Sequence, residues 1–418
     1  MARFLFVVVP LVAHVWPAVA IAGELTAAGH DVAWCGSESD LRPLAGPDAV
    51  IYPTGRRSFR QPAQLGMAAV REVWDEYLIP FNRFLQDPVD SAVAEHQPDV
   101  VVADQYALAG ALAAHRRGVR WATLAAGVLE LTPPPEPGLQ EWVGSRLALV
   151  WQKAGLPVED GLDLRFSPHL VIATTTQGLT GLAALPPHWL LAGAVLGPRR
   201  TDPGFSWDWW DPARQHVLVT AGTVSAQLAA ANLVRGFFAR VTAALEPLAG
   251  RVQAVLNVAV DAVPAPPPHV LVARQVPMLE LMPRLDAVIC QAGQSTVNEA
   301  LVHGVPLVVA PIRLAEPLTA EHVTRTGAGI AVSFSEATPA QLTAALTAVL
   351  DEPGYRARAR ALGEGFAAAG GAGAAAARLA ALADGRWPRP AMTAAGRAGP
   401  AGLASGHRHE QPEGTDGR

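Results

Sequence analysis

A short run of Val, Leu and Ile, a loop, an Ala- and Leu-rich amphipathic stretch, a glycine and then another apolar run make a unit that recurs along most of this chain. Strands buried on both faces read as unbroken apolar runs, and the helices between them carry the chain back. The pattern therefore specifies parallel sheets covered by helices on both sides. In the first half it occupies residues 4–34 and 99–124, where Val100-Val101-Val102-Ala103 precedes Asp104 and a helix around 108–115. In the second half, residues 216–220, 252–256, 269–273, 286–290, 305–310 and 329–332 read as strands separated by helical stretches. A chain of 418 residues with 50% apolar content exceeds one comfortable core and can fill two, each of roughly 200 residues. The fold class expected is α/β, with two doubly wound Rossmann-like domains facing each other across a cleft.

The stretch Gly197-Pro198-Arg199-Arg200-Thr201-Asp202-Pro203-Gly204 lacks periodicity and is followed by Trp207, Trp209 and Trp210. It marks a linker at 197–215 between an N-terminal domain, 1–196, and a C-terminal domain, 216–385. Residues 56–86, rich in Trp, Tyr and Phe, and Pro133-Pro134-Pro135-Glu136-Pro137 interrupt the alternation inside the first half. Such insertions sit on loops above the sheet, where acceptors bind in this class of fold, or pack on the domain as helical excursions. From Thr338 the chain is Ala-rich and helical, with Thr338 as N-cap and Pro339 at the first helical position. Residues 386–418 lose apolar periodicity and read as a disordered tail.

At the N-terminus, Arg3, the apolar run 4–12 and Ala20-Ile21-Ala22 have the outline of a signal peptide, but Pro10, His14 and Pro17 interrupt it. The same residues read as a buried strand at 4–9, a turn, and a helix from Pro17 to Ala28 stopped by Gly29. No segment reaches the ~18 uninterrupted apolar residues of a membrane span. Cys35 and Cys290, in separate predicted strands, offer neither a disulfide framework nor metal-ligand spacing, which points to a cytoplasmic compartment. The net charge of −5 comes without a basic block or aromatic-spaced Lys/Arg stripe, so nucleic acid is not an expected partner.

In open parallel sheets, ligands bind beyond the carboxyl ends of the strands. His14 lies just after the first strand and Asp104 at the end of another; alone, the first reads equally as an exposed bystander and the second as a helix cap. As a pair, the carboxylate would take the Nδ1 proton, orient the ring and leave Nε2 as a base near neutral pH. Thr220-Ala221-Gly222-Thr223 also ends a strand and can present amides and a hydroxyl to a phosphate.

The most informative stretch is 286–311, DAVICQAGQSTVNEALVHGVPLVVAP, a strand, a Gly-containing turn, one amphipathic helix closed by glycine, and a second strand. Its turn at Gln291-Ala292-Gly293-Gln294-Ser295-Thr296 aims unpaired N–H groups and the positive end of a helix dipole at one point, the geometry of a phosphate site. A plain tight turn fits the same letters. Glu299 falls one turn along the helix, suited to a ribose diol or simply to the dipole.

At these residues the chain resembles the inverting nucleotide-sugar glycosyltransferases of the GT-B fold, the family of plant and bacterial enzymes acting on natural products. The matches are Ala13-His14 with Pro17, Asp104 after a Val-rich strand, Ala221-Gly222-Thr223, and residues 275–317, which are similar to the nucleotide-sugar signature. The resemblance covers residues 1–385. It implies that His14 deprotonates an acceptor hydroxyl with Asp104 as its partner, and that this oxygen displaces a nucleoside diphosphate, UDP or TDP, with inversion. It implies no metal and no cofactor beyond the nucleotide-sugar co-substrate. Donor contacts would come from Gly222, Thr223, Gln291, Gly293, Ser295 and Thr296 at the diphosphate, Glu299 at the ribose, residues around Val276 at the base, and Glu316 at the sugar. The other partner would be a small natural-product acceptor, bound by a monomer or homodimer.

Two departures from the family pattern stand out. Gln291 occupies a place where a histidine is usual; a charged hydrogen bond contributes about 1.5–3 kcal/mol against about 1 for a neutral one, roughly a power of ten in leaving-group stabilisation. Leu314-Ala315-Glu316-Pro317 replaces an acid-plus-glutamine pair that binds hexose hydroxyls. Ala315 cannot bind a hydroxyl, so a deoxysugar suits this site better than glucose, unless Arg313 or another loop supplies the contacts. A degenerate transferase kept as a binding partner and a GT-B nucleotide-sugar epimerase remain as alternatives.

Overall fold

The computed structural model describes residues 1–57, 59, 62–65, 68–132, 136, 138–182, 185–199, 204–222 and 231–386. Thr223, part of the 197–215 linker, most of the Pro133–Pro137 run and the 387–418 tail lie outside the described residues.

The N-terminal domain is built on seven strands, β1 Arg3–Val7, β2 Asp31–Gly36, β3 Val50–Pro53, β4 Val100–Asp104, β5 Arg120–Ala125, β6 Leu170–Ala173 and β7 Trp189–Leu191. They pair in the order β3-β2-β1-β4-β5-β6-β7, all parallel. Phe4, Leu5, Phe6 and Val7 alternate between two apolar clusters, one on each face of the sheet, which is why the strand is apolar at every position. The C-terminal domain has six parallel strands, β8 Gln215–Thr220, β9 Val252–Asn257, β10 Val270–Ala273, β11 Ala287–Cys290, β12 Leu307–Val309 and β13 Gly329–Ala331, in the order β10-β9-β8-β11-β12-β13. Each strand expected from the sequence of this half is present, shorter by a residue or two at some ends.

In both sheets the chain winds outward one way and then restarts on the other side of its first strand. The order reverses between β1 and β4 in one domain and between β8 and β11 in the other. A crevice opens at the carboxyl ends of the strands at each such switch point.

Two elements, the first helix and the last, differ from the sequence expectation, and the aromatic insertion takes the helical one of its two readings. The first helix is Val12–Ala27, with Leu11 as N-cap, so His14 stands in its first turn rather than in a turn before it. Pro17 lies inside this helix, where it removes the N–H that would reach the carbonyl four residues back and its ring crowds that carbonyl. Buried Val15, Ala18, Ile21 and Leu25 on the core side offset that loss. The aromatic insertion is helical through Ala68–Glu72, a π-helical turn at Val73–Leu78 and Ile79–His96, and it contributes to the core besides the cleft. Finally, the last helix, Gly371–Ala383, leaves the C-terminal domain and packs on the first sheet, burying Ala375, Leu379 and Leu382 among Phe4, Phe6 and Ile21. The stretch 353–383 is apolar and long enough to cross a membrane by composition. In the fold it is two helices, Pro353–Ala368 and Gly371–Ala383, broken at Gly370 and Gly371, both with positive φ.

Candidate active site

The two switch points open on one cleft of about 590 Å³, lined from both domains. On the N-terminal side, β1 delivers the helix that carries His14, and β4 ends at Asp104. Because β1 and β4 are neighbours in the sheet, the two side chains meet: His14 Nδ1 lies 2.7 Å from Asp104 Oδ2. The other carboxylate oxygen, Oδ1, accepts the Tyr106 N–H at 2.9 Å, which fixes the acid, and Asp104 is 2% exposed. Burial on its own would lower the His14 pKa. The charge and hydrogen bond of Asp104, with the charge of Glu130, outweigh burial and hold it above the ordinary 6.5.

Behind this pair lies a group that sequence reasoning missed. Glu130, 5% exposed, accepts hydrogen bonds from Gln105 Nε2 at 3.0 Å and from the Tyr106 hydroxyl at 3.3 Å. Burial raises its pKa, opposed by the Arg165 guanidinium, itself paired with Asp163 at 2.7 Å. Glu130 sits in an irregular stretch five residues past the end of β5. Its only signal in sequence was that position near a strand end.

On the C-terminal side, β8 ends at Thr220, whose hydroxyl accepts the Gly222 N–H at 3.1 Å, while β11 runs into Gln291-Ala292-Gly293 and the helix Gln294–Val302. Ala292 has φ +65°, which turns the chain so that the helix starts facing the cleft. Gly293 is the N-cap and supplies no side-chain acceptor, leaving the first-turn N–H groups open to a ligand. Half-buried Ser295 and Thr296 line the same wall. Gln291 is 6% exposed and folds across both glycines: a methyl on Gly293 would stand 2.7 Å from its Nε2, and one on Gly222 would overlap it. Its Oε1 has no hydrogen-bond partner among the described residues.

Several donor-side residues stand differently from the sequence expectation. Glu299 is not a free carboxylate: it pairs with Arg199 of the linker, whose guanidinium lies 5.6 Å from the ring centre of Trp16 on the first helix. Glu316 turns into its own loop, where Oε2 accepts the N–H groups of Ile312 and Arg313, both at 2.9 Å, and burial pushes its pKa up to about 7. Val276 packs against the apolar cluster under the helix Gln294–Val302 and is absent from the cleft lining, while nearby Met278 and Asn257 line it. Gln294 is tied to Asn298 at 2.7 Å and to Thr319 at 3.4 Å. The two cysteines are buried and free, with thiols pushed up to about 12 by burial, and take no part in the cleft. Among the described residues, no group of three His, Cys, Asp or Glu side chains is placed to hold a metal ion.

Residues 249–382 match the family model of the erythromycin biosynthesis protein CIII-like C-terminal domain. Over 396 residues the chain is 28% identical to demethyllactenocin mycarosyltransferase of Streptomyces fradiae, covering 85% of this chain and 81% of that protein. It is 26% identical to 4'-demethylrebeccamycin synthase of Lentzea aerocolonigenes, covering 88% and 96%. The fold is shared with the solved kitacinnamycin glycosyltransferase at a TM-score of 0.74 and 21% identity, over 93% of this chain and 99% of that one. It is also shared with glycosyltransferase VinC, solved with dTDP, at 0.71 and 19%, over 91% and 99%.

The chain is a glycosyltransferase with the GT-B fold.

In this glycosyltransferase the fold, rather than any long sequence motif, brings the parts of the cleft together. The His14/Asp104 pair comes from one switch point and the open helix end from the other. Asn298 Nδ2 donates to the Thr174 carbonyl at 2.7 Å, tethering the helix Gln294–Val302 to the N-terminal domain.

Proposed function

We propose that the transferase moves a sugar, a deoxysugar on the reading of loop 314–317, from a UDP- or TDP-linked donor to a hydroxyl of a small natural product, with inversion at the anomeric carbon. The observation that carries this is His14, held by Asp104, in the same cleft as the N-terminus of the helix Gln294–Val302. The acceptor hydroxyl gives its proton to His14 Nε2 while its oxygen bonds to the anomeric carbon. The carbon–oxygen bond to the diphosphate breaks on the opposite face, and Asp104 stabilises the imidazolium. Charge gathers on the leaving diphosphate, where the first-turn amides and the hydroxyls of Ser295 and Thr296 can meet it without rearranging. No metal or further cofactor is needed in this scheme.

Apolar and aromatic side chains of the N-terminal domain, among them Phe59, Val73, Trp74, Tyr77 and Leu129, line the other end of the cleft and suit an acceptor of low polarity. The names of the relatives, a mycarosyltransferase and a rebeccamycin synthase, accord with a natural-product acceptor.

The test is calorimetry with UDP and TDP followed by transfer assays on His14→Ala. The expected result is that one nucleotide binds wild type and variant with similar affinity while transfer falls by about 10²–10⁴. Undiminished transfer in the variant removes His14 as base. Absence of nucleotide binding at millimolar concentration removes the transferase mechanism as drawn.

A further inference from the structure

We propose that Asn82 is a positioning residue of the transfer: it locks the loop 104–108 that presents Asp104 to His14, and it ties that loop to the wall on which the acceptor lies. The inference takes the His14/Asp104 base of the proposed function as its starting point. Asn82 stands on the helix Ile79–His96 with 0% exposure, on the face that also buries Ile79, Leu85 and Val89. A primary amide in such a place is costly unless its donors and acceptor are paired. All are paired, and each bond goes to backbone. Nδ2 donates to the Leu78 and Tyr106 carbonyls, both at 2.9 Å, and Oδ1 accepts the Ala109 N–H at 3.0 Å.

The local sequence leaves this loop in need of an outside partner. The helix Leu108–Arg116 has Ala107 at its N-cap, a residue with no side-chain acceptor for the N–H groups of the first turn. Asn82 supplies, from another helix 27 positions away, the oxygen that an N-cap asparagine supplies locally. It also holds the Tyr106 carbonyl, and the N–H of that same residue binds Asp104 Oδ1 at 2.9 Å, leaving Oδ2 aimed at His14 Nδ1. Asn82, Tyr106, Asp104 and His14 thus form one chain of contacts that ends at the base.

The bond to Leu78 gives the chain its other end. Leu78 closes the π-helical turn Val73–Leu78, and Val73, Trp74, Tyr77 and Leu78 line the cleft. One amide therefore joins the acceptor wall to the acid, and an acceptor seated against that wall meets His14 at a fixed distance. Rate depends steeply on such placement: a displacement of about 1 Å costs about a hundredfold.

The experiment is an NMR titration of His14 in the full chain, comparing wild type, Asn82→Ala, Asp104→Asn and the double variant. Asp104, Glu130 and Tyr106 face the imidazole; burial lowers its pKa and the two acids raise it. With the loop released, Asp104 is no longer held against the ring and burial prevails. His14 in Asn82→Ala is therefore expected to titrate at lower pH than in wild type, and in the double variant no lower than in Asp104→Asn alone. An unchanged titration in Asn82→Ala, or an equal further shift in the double variant, overturns the inference and leaves Asn82 to structure alone. In transfer from a TDP-6-deoxyhexose to a hydroxycoumarin, kcat of Asn82→Ala should fall about 10- to 100-fold, with KM for the donor within about twofold of wild type. A titration that moves while kcat does not overturns the base role of His14 in the proposed function instead. Hydrogen exchange on the wild-type chain tests the clamp where Asn82→Ala does not fold. The Ala109 amide, in a first turn that offers it no partner, should exchange slowly because Asn82 holds it, and rapid exchange overturns the inference.

Discussion

At the scale of single residues, the cleft depends on how a few side chains are charged. His14 faces Asp104, Glu130 and Tyr106, and its pKa stands above 6.5 because the two acids outweigh burial. In the proposed mechanism His14 acts as a base in its neutral form, so kcat/KM should fall as the pH drops through that raised value. Folding linkage has the same origin: the pair's contribution to stability is complete below the unfolded-state pKa and is lost as pH rises through the folded one. Glu130→Gln removes one negative charge and keeps an acceptor for the Tyr106 hydroxyl. With Arg165 and Asp163 left as they are, the imidazolium loses support, and the acidic limb of the pH–rate profile should move to lower pH. A limb that stays in place, with only the rate or stability changed, would assign Glu130 to structure alone. His14 and Asp104 were legible because strand ends are local features of sequence. Glu130 was not, because its approach to Tyr106 and Gln105 depends on an irregular stretch after β5 folding back.

Among elements, the helix Gln294–Val302 is the part of the cleft that both sequence and structure define most sharply. Its register is held from behind by the helix Pro353–Ala368. A methyl on Gly363 would stand 2.6 Å from the Leu301 carbonyl oxygen and 3.2 Å from that of Val302, backbone atoms that cannot swing aside. Gly363→Ala is therefore expected to push the two helices apart and destabilise the protein by about 1–3 kcal/mol, read from denaturant midpoints. Because the displaced helix is the one whose N-terminus faces the cleft, affinity for the nucleotide should fall as well. A variant with unchanged midpoint would mean that the helices approach less closely than the structure describes. The opposite lesson comes from the first helix. Proline favours the first helical turn, so Pro17 looks like a start, yet the helix begins at Val12 because burial of one face outweighs the missing hydrogen bond and the crowded carbonyl.

Across the whole molecule, the domains are tied by more than the linker. After Pro353–Ala368 the chain turns at Gly370 and Gly371 and lays Gly371–Ala383 on the first sheet. Arg120 at the start of β5 donates to the Leu382 and Ala383 carbonyls at 2.6 and 2.7 Å, closing the C-terminal end of that helix. A chain ended after Gly370 would uncover Phe4, Phe6 and Ile21, and each buried Leu lost with the helix removes about 1.5–3 kcal/mol. The shortened protein should melt well below the full chain or fail to stay in solution, measured by thermal unfolding. Equal melting temperatures would show that this helix is an appendage.

The alternation of apolar strands and helices, the strand-to-helix passages that carry His14, Asp104 and Gly222, and the turn before Gln294–Val302 follow from periodicities a few residues long. These were set by the sequence alone. What the tertiary structure decided is who pairs with whom across long separations: Glu299 with Arg199, Arg313 with Pro62, and the last helix with the first sheet. Those contacts arise only when distant parts of the chain dock, because their energy comes from burying groups that no local pattern brings together.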